Sequence, residues 1–193
     1  MRRPPDGVIL VGNMMIREVM SSPAHACTPN TSLADAARKM REFNCGALPV
    51  VDPSHRPVGI LTDRDVCLAI ARERRSAEAI FVREIMTVNP ITAEPTRDFG
   101  YALNLMASSR VRRLPVVDEK GILVGILTLD DVIAAMWDAP ESDTPLLRRL
   151  VRVCRNIVRQ GSRPATPGQP PGTPTPGARE GGPGAADTTD RLG

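Results

Sequence analysis

Leu48-Pro49-Val50-Val51-Asp52, followed closely by Val58-Gly59-Ile60-Leu61-Thr62, decides how this chain folds because it is written twice. Further along stand Leu114-Pro115-Val116-Val117-Asp118 and Val124-Gly125-Ile126-Leu127-Thr128, both at one constant offset from the first pair. Around them, Arg17-Glu18-Val19-Met20 lies over Arg83-Glu84-Ile85-Met86, and residues 17–70 align without a gap on 83–136, with 19 identities in 54 positions. Such an offset marks one supersecondary unit present twice. A site built by one copy should therefore have a counterpart in the other.

Within the first copy, Ser32 and Asp35 have the spacing of a capping box, and Leu33, Ala36, Ala37 and Met40 follow at helical spacing, which predicts a helix over 32–43. Gly46 breaks it. Residues 47–51 and 58–61 read as short strands joined by the turn formers of 52–57, and a second helix starts near Thr62, carrying Val66, Leu68, Ala69 and Ile70. The second copy predicts a helix over 97–108, strands over 113–117 and 122–127, and a helix over 128–137. Short extended pieces are expected at 26–28 and 91–93. Each unit thus reads β-α-β-β-α, an α+β class. A single unit is near the size at which a lone core becomes marginal, so the two should pack on each other through their sheets as a pseudo-two-fold pair.

Hydrophobic residues make up 41% of the chain, enough for a core, but nearly half of 161–193 is Gly or Pro and none of it is aromatic. That tail has too little apolar surface to offset the entropy of ordering it. The expected organisation is a flexible leading segment (1–15), a first repeat (16–80), a second repeat (81–137), a linker and basic amphipathic helix (138–160), and a disordered Pro/Gly-rich tail (161–193). In the C-terminal helix Leu146, Leu147, Leu150, Val151, Val153, Cys154, Ile157 and Val158 run down one broad face, while Arg148, Arg149, Arg152, Arg155 and Arg159 fall mainly on the other. We expect the apolar face to pack on the repeats or on a dimer mate in preference to an anionic membrane surface.

Several function classes are excluded by what the pattern lacks. Net charge is +3, yet three Phe, one Tyr and one Trp, without aromatic-basic interleaving or zinc-finger spacing, do not make a sequence-specific nucleic-acid reader. Cys27, Cys45, Cys67 and Cys154 form no CxxC pair, which fits a reducing compartment and small buried or half-buried residues. His25 and Cys27 alone do not define a metal site, and none is expected. Arg17 and Glu18 interrupt any leader-like apolar region, and nothing approaches the roughly 20 apolar residues needed to span a bilayer, so we expect a cytoplasmic protein. No P-loop lysine, G-x-S-x-G or H-E-x-x-H pattern is present, which argues against an enzyme.

Chemistry concentrates at Thr62-Asp63-Arg64-Asp65 and its copy Thr128-Leu129-Asp130-Asp131. A Thr at a strand end with an Asp in the first turn of the next helix is a simple capping arrangement. It also sets a hydroxyl and a carboxylate beside a helix N-terminus, where the acid can accept from ribose hydroxyls and the helix end favours phosphate. One Thr can do both. Arg64, Arg110, Arg112 and Arg113 are the candidate phosphate ligands, since guanidinium forks suit phosphate oxygens. Pro49 and Pro115, read from the residues alone, begin edge strands.

With its paired L-P-V-V-D and G-I-L-T-x-x-D segments, the stretch from Ile16 to Trp137 closely resembles the tandem cystathionine-beta-synthase (CBS) domain family, whose repeat pairs form regulatory Bateman-type modules. The resemblance implies adenosine-containing ligands in clefts between the repeats, and a homodimer. It assigns Thr62, Asp65, Thr128 and Asp131 to ribose and phosphate, and Leu48-Pro49, Leu114-Pro115 and backbone near Cys27 and Thr92 to the adenine slot. The near-absence of aromatics suggests aliphatic walls.

The expected function is ligand sensing: an adenine nucleotide (AMP, ADP or ATP) or S-adenosylmethionine acts as regulatory ligand, with no catalytic cofactor, and changes repeat or dimer geometry seen by an unidentified regulated protein. The alternative is a ligand-free dimerisation scaffold that presents the C-terminal helix. Gly46-Ala47 against Arg112-Arg113, and Asp63-Arg64 against Leu129-Asp130, make the two clefts unequal.

Overall fold

The computed structural model describes residues 14–137, 148 and 150–156. In chain order these form α1 (Leu33–Glu42), β1 (Ala47–Val51), β2 (Pro57–Thr62), α2 (Asp63–Arg72), β3 (Thr87–Val88), α3 (Phe99–Ser109), β4 (Arg113–Val117), β5 (Leu123–Thr128) and α4 (Leu129–Trp137). Short 3₁₀ turns lie at Ile16–Glu18 and Val82–Glu84. Residues 148 and 150–156 include a further helical stretch. The segments 1–13 and 161–193, expected to be flexible and disordered, and most of the linker, lie outside the described residues.

Local chemistry sets each helix start. Ser32 Oγ accepts from Asp35 N (3.1 Å) and Asp98 Oδ1 accepts from Tyr101 N (2.8 Å), so α1 and α3 each satisfy one of the amides that a helix N-terminus leaves open. The strands pair as hairpins whose register is the same in both repeats: Ala47 faces Thr62 and Leu48 faces Leu61, just as Arg113 faces Thr128 and Leu114 faces Leu127. Both hairpins carry a bulge, after Val50 and after Val116. The extended pieces reduce to single parallel bridges, Cys27 to Val50 and Ala93 to Val116. Ala93, not Thr92, is therefore the counterpart of Cys27.

The units also exchange their leading arms. Arm 14–22 does not pack on the helix and strands that follow it in sequence: Ile16 N donates to Arg97 O (2.9 Å), Phe99 N donates to Met14 O (2.8 Å), and Ser21 and Ile126 exchange backbone hydrogen bonds. Arm 80–88 returns the exchange, with Val82 N donating to Thr31 O (2.9 Å), Leu33 N to Ile80 O (2.9 Å), and β3 pairing antiparallel with β2. Two cores result. One joins Leu33, Ala36, Leu48, Val50 and Leu61 to Ile80 and Val82, and the other joins Phe99, Leu103, Met106, Leu114 and Leu127 to Ile16.

Val153 is fully buried in this second core, and Asn156 Nδ2 donates to Ala107 O (2.9 Å). The C-terminal helical stretch thus packs back on α3 through its apolar face, leaving Arg148, Arg152 and Arg155 exposed. None of the four cysteines is bonded: Cys27 is buried, Cys45 and Cys154 are half-buried, and Cys67 is exposed, contrary to the expectation that all would be at least partly covered.

Candidate functional site

Both Thr-x-x-Asp corners fold as reciprocal caps. At the first, Asp65 Oδ2 accepts from Thr62 N (2.9 Å) and Thr62 Oγ1 (2.7 Å), while Thr62 Oγ1 accepts from Asp65 N (3.2 Å). At the second, the matching distances are 2.7, 2.6 and 3.1 Å. The carboxylates are held rigidly with one oxygen engaged. The remaining oxygens differ: Asp131 Oδ1 accepts from Ser21 Oγ (3.2 Å), a hydroxyl delivered by the exchanged arm.

A cleft of about 690 Å³ opens at the second corner, of the size that holds small ligands. Thr128, Asp130, Asp131 and Arg113 line one side, and Asn44 to Ala47 of the first repeat line the other. The arm from Met20 to His25 runs between them. Both repeats and the crossing arm therefore share one crevice.

Two features shape its walls. His25 and Phe43 stack face to face, with ring centroids 3.6 Å apart at 8°, so one wall is aromatic and the expected all-aliphatic lining is corrected. At Gly46 an added Cβ would lie 3.4 Å from Arg113 Nη2 and 3.1 Å from Asp63 Oδ2. The absence of a side chain there gives the Arg113 guanidinium room to reach across from β4. In the second repeat the same position is Arg112.

Of the residues expected to bind ligand, Thr128, Asp131 and Arg113 meet at this cleft. Thr62 and Asp65 form the equivalent corner on the other side of the pseudo-two-fold. Arg64, Arg110 and Arg112 are exposed; Arg110 caps α3 in a left-handed conformation (φ 57°), and Arg112 O accepts from Leu129 N (2.9 Å). None of the residues expected in the adenine slot is among those lining the cleft. Leu48 and Leu114 have no exposed surface and belong to the two cores, because the period-2 alternation of β1 and β4 turns them inward. Pro49 and Pro115 are buried too, their carbonyls accepting from Cys27 N and Ala93 N at 3.0 Å. Burial pushes the Cys27 thiol up to about 11, consistent with a packing role. Thr92 is half-buried and is not among the cleft residues.

Sequence reasoning missed Ser21 to His25, Phe43, Asn44 and Asp130 as lining residues. The available signal was positional: Asn44 to Ala47 immediately precede the repeated Leu-Pro-Val-Val-Asp segment, and Asp130 lies within the other repeated motif. His25 and Phe43 carried none, since only the fold brings them together.

The class follows from duplicated hairpins, exchanged arms and paired Thr-x-x-Asp caps. The CBS domain model matches residues 16–72 and 82–138, and the chain belongs to the CBS domain family. Among relatives, CBS domain-containing protein YhcV of Bacillus subtilis is 34% identical over 117 residues, covering 61% of this chain and 81% of that protein. A Methanopyrus kandleri protein is 31% identical over 125 residues, the match covering 65% of this chain and 61% of the relative. An inosine-5'-monophosphate dehydrogenase of Methanocaldococcus jannaschii is 33% identical over 116 residues, 60% of this chain but only 22% of the enzyme. Similar solved structures include CBSX2 in complex with AMP (TM-score 0.56, 28% identity, 65% of this chain and 97% of that one). The CBS domain pair of protein MJ0100 in complex with 5'-methylthioadenosine and S-adenosyl-L-methionine is also similar (TM-score 0.58, 30% identity, 65% and 97%).

Proposed function

We propose that this chain is a regulatory, non-catalytic module that binds an adenosine-containing ligand in the cleft between the repeats. The observation that carries this reading is the shared crevice, in which the Thr128–Asp131 corner faces Asn44 to Ala47 across the arm of Met20 to His25. A carboxylate already fixed by its cap presents acceptors to ribose hydroxyls without further ordering cost, and Arg113 offers a donor to the ligand. Adenosyl ligands in two structural neighbours support the ligand class.

Signalling follows from where the arm runs. Ser21 pairs with Ile126 and its hydroxyl reaches Asp131, while Ile16 of the same arm is sealed in the second core, so a ligand in the cleft acts on the segment that joins the two units. The response is bounded by the ligand's differential affinity for the two arrangements. Leu68 and Ile70 on α2 and Ile133 on α4 are exposed apolar side chains that self-association would cover. Among the described residues no helix is long and apolar enough to cross a membrane.

The test is a thermal-shift panel. An adenosyl ligand at 100 times its Kd stabilises the folded chain by about 2.7 kcal/mol, and no shift with AMP, ATP, 5'-methylthioadenosine or S-adenosylmethionine removes this reading in favour of a ligand-free scaffold.

A further inference from the structure

The residues at equivalent positions around the two corners differ in charge although their backbones share one register. At the cleft the charged lining residues are Asp130, Asp131 and Arg113, with His25 beside them, so among the aspartates and arginines there the acids outnumber the cation. Asp63 Oδ2 adds a third carboxylate near Gly46. At the equivalent positions around the other corner, Arg64 stands in place of Asp130, and Arg110 and Arg112 in place of Asn44 and Gly46. The fold therefore does not dictate the acidity of this cleft. It is a property of these side chains, in a chain whose net charge is +3.

Resting on the proposed adenosyl site, we propose that this cleft selects compounds whose 5' substituent is neutral or cationic over those that carry phosphates, and that Asp130 sets the preference. The capped carboxylate of Asp131 holds the ribose, which brings the group on its 5' carbon to the same first turn of α4, where Asp130 stands exposed with no hydrogen-bond or ion-pair partner among the described residues. Arg113 balances one carboxylate and leaves the other to repel phosphate and attract a sulfonium. The helix N-terminus favours anions, but two acids in that turn already offset it.

Calorimetry on the full chain tests this with adenosine, 5'-methylthioadenosine, S-adenosylmethionine, AMP and ATP, on wild type, Asp130→Asn and Asp130→Arg. Wild type is expected to bind the thioether and the sulfonium at least ~10-fold more tightly than ATP, since each unfavourable unit charge at close range costs roughly three- to tenfold in affinity. Asp130→Arg, which copies Arg64, should reverse the order, with Asp130→Asn between, each compound's affinity being read as a ratio to that of adenosine in the same variant. AMP or ATP binding wild type more tightly than the thioether, or a ranking unmoved by Asp130→Arg, overturns the charge preference while leaving the adenosyl site standing. Failure of all five compounds to bind any variant overturns both.

Discussion

Among single residues, Gly59 and Gly125 show how one hydrogen atom sets a packing distance. A Cβ at Gly59 would lie 2.6 Å from Met86 Sδ and 3.1 Å from Thr87 O, and at Gly125 2.6 Å from Met20 Sδ and 3.0 Å from Ser21 O. The close approach served by these glycines is that of the exchanged arms. Gly59→Ala and Gly125→Ala should each destabilise the fold by roughly 1–3 kcal/mol in urea unfolding, because the thioether can swing aside but the carbonyl cannot. Cys27 gives a second test. Its thiol pKa is raised from 9.0 to about 11, so its burial contributes stability fully below the lower value and loses it as pH climbs through the higher. Stability should fall between those values less steeply in Cys27→Ala than in wild type, the half-buried Cys45 thiol, also pushed up by burial, keeping its own share, while exposed Cys67 is alkylated in the native state and Cys27 only on unfolding. The Thr128–Asp131 corner was legible in sequence because capping is a local pattern confined to one helical turn. That Leu48 and Leu114 lie in the two cores was not legible, because a motif names residues without saying which way alternate side chains point. His25 and Phe43 were invisible, since nothing local joins a loop residue to the C-cap of α1.

Between elements, helices, hairpins and their register could be read ahead because the repeat supplies every pattern twice. Partnering of the arms could not. Ile16 and Val82 announce burial by being apolar, but not that each is buried in the other unit's core. Ile16→Ala should cost roughly 2–5 kcal/mol, and hydrogen exchange should show the loss in α3, β4 and β5 rather than in α1, its neighbour in sequence. The second arm carries a pH signature as well. Glu84 accepts from Phe81 N (2.8 Å) and from Arg75 (2.7 Å), and these bonds, the backbone one first, hold its carboxyl below the usual range. A depressed folded value means the contribution is present above the ordinary carboxylate pKa and is lost as pH falls through the folded one. The acid limb of the stability profile should therefore flatten in Glu84→Gln. For the C-terminal stretch, Val153→Ala removes about 1–2 kcal/mol of burial and should expose its arginines to trypsin sooner than in wild type.

Exchange of arms makes the repeats one cooperative body even though the sequence presents two. Neither unit completes its core from its own contiguous residues. A protease site placed in the loop between Arg72 and Ala79 should yield halves that stay associated on gel filtration and separate only in denaturant, and urea unfolding of the intact chain should show a single transition. In the proposed function a ligand in the cleft is felt by both units, since the arm that lines it begins in the first repeat and is anchored in the core of the second. The decisive measurement is isothermal titration of adenosyl compounds into wild type, Thr128→Val and Asp131→Ala. Saturable binding to wild type, weakened at least ~10-fold by either substitution in line with the loss of a charge-assisted hydrogen bond, is the expected result; equal affinities in all three proteins, or no heat with any compound, would contradict it.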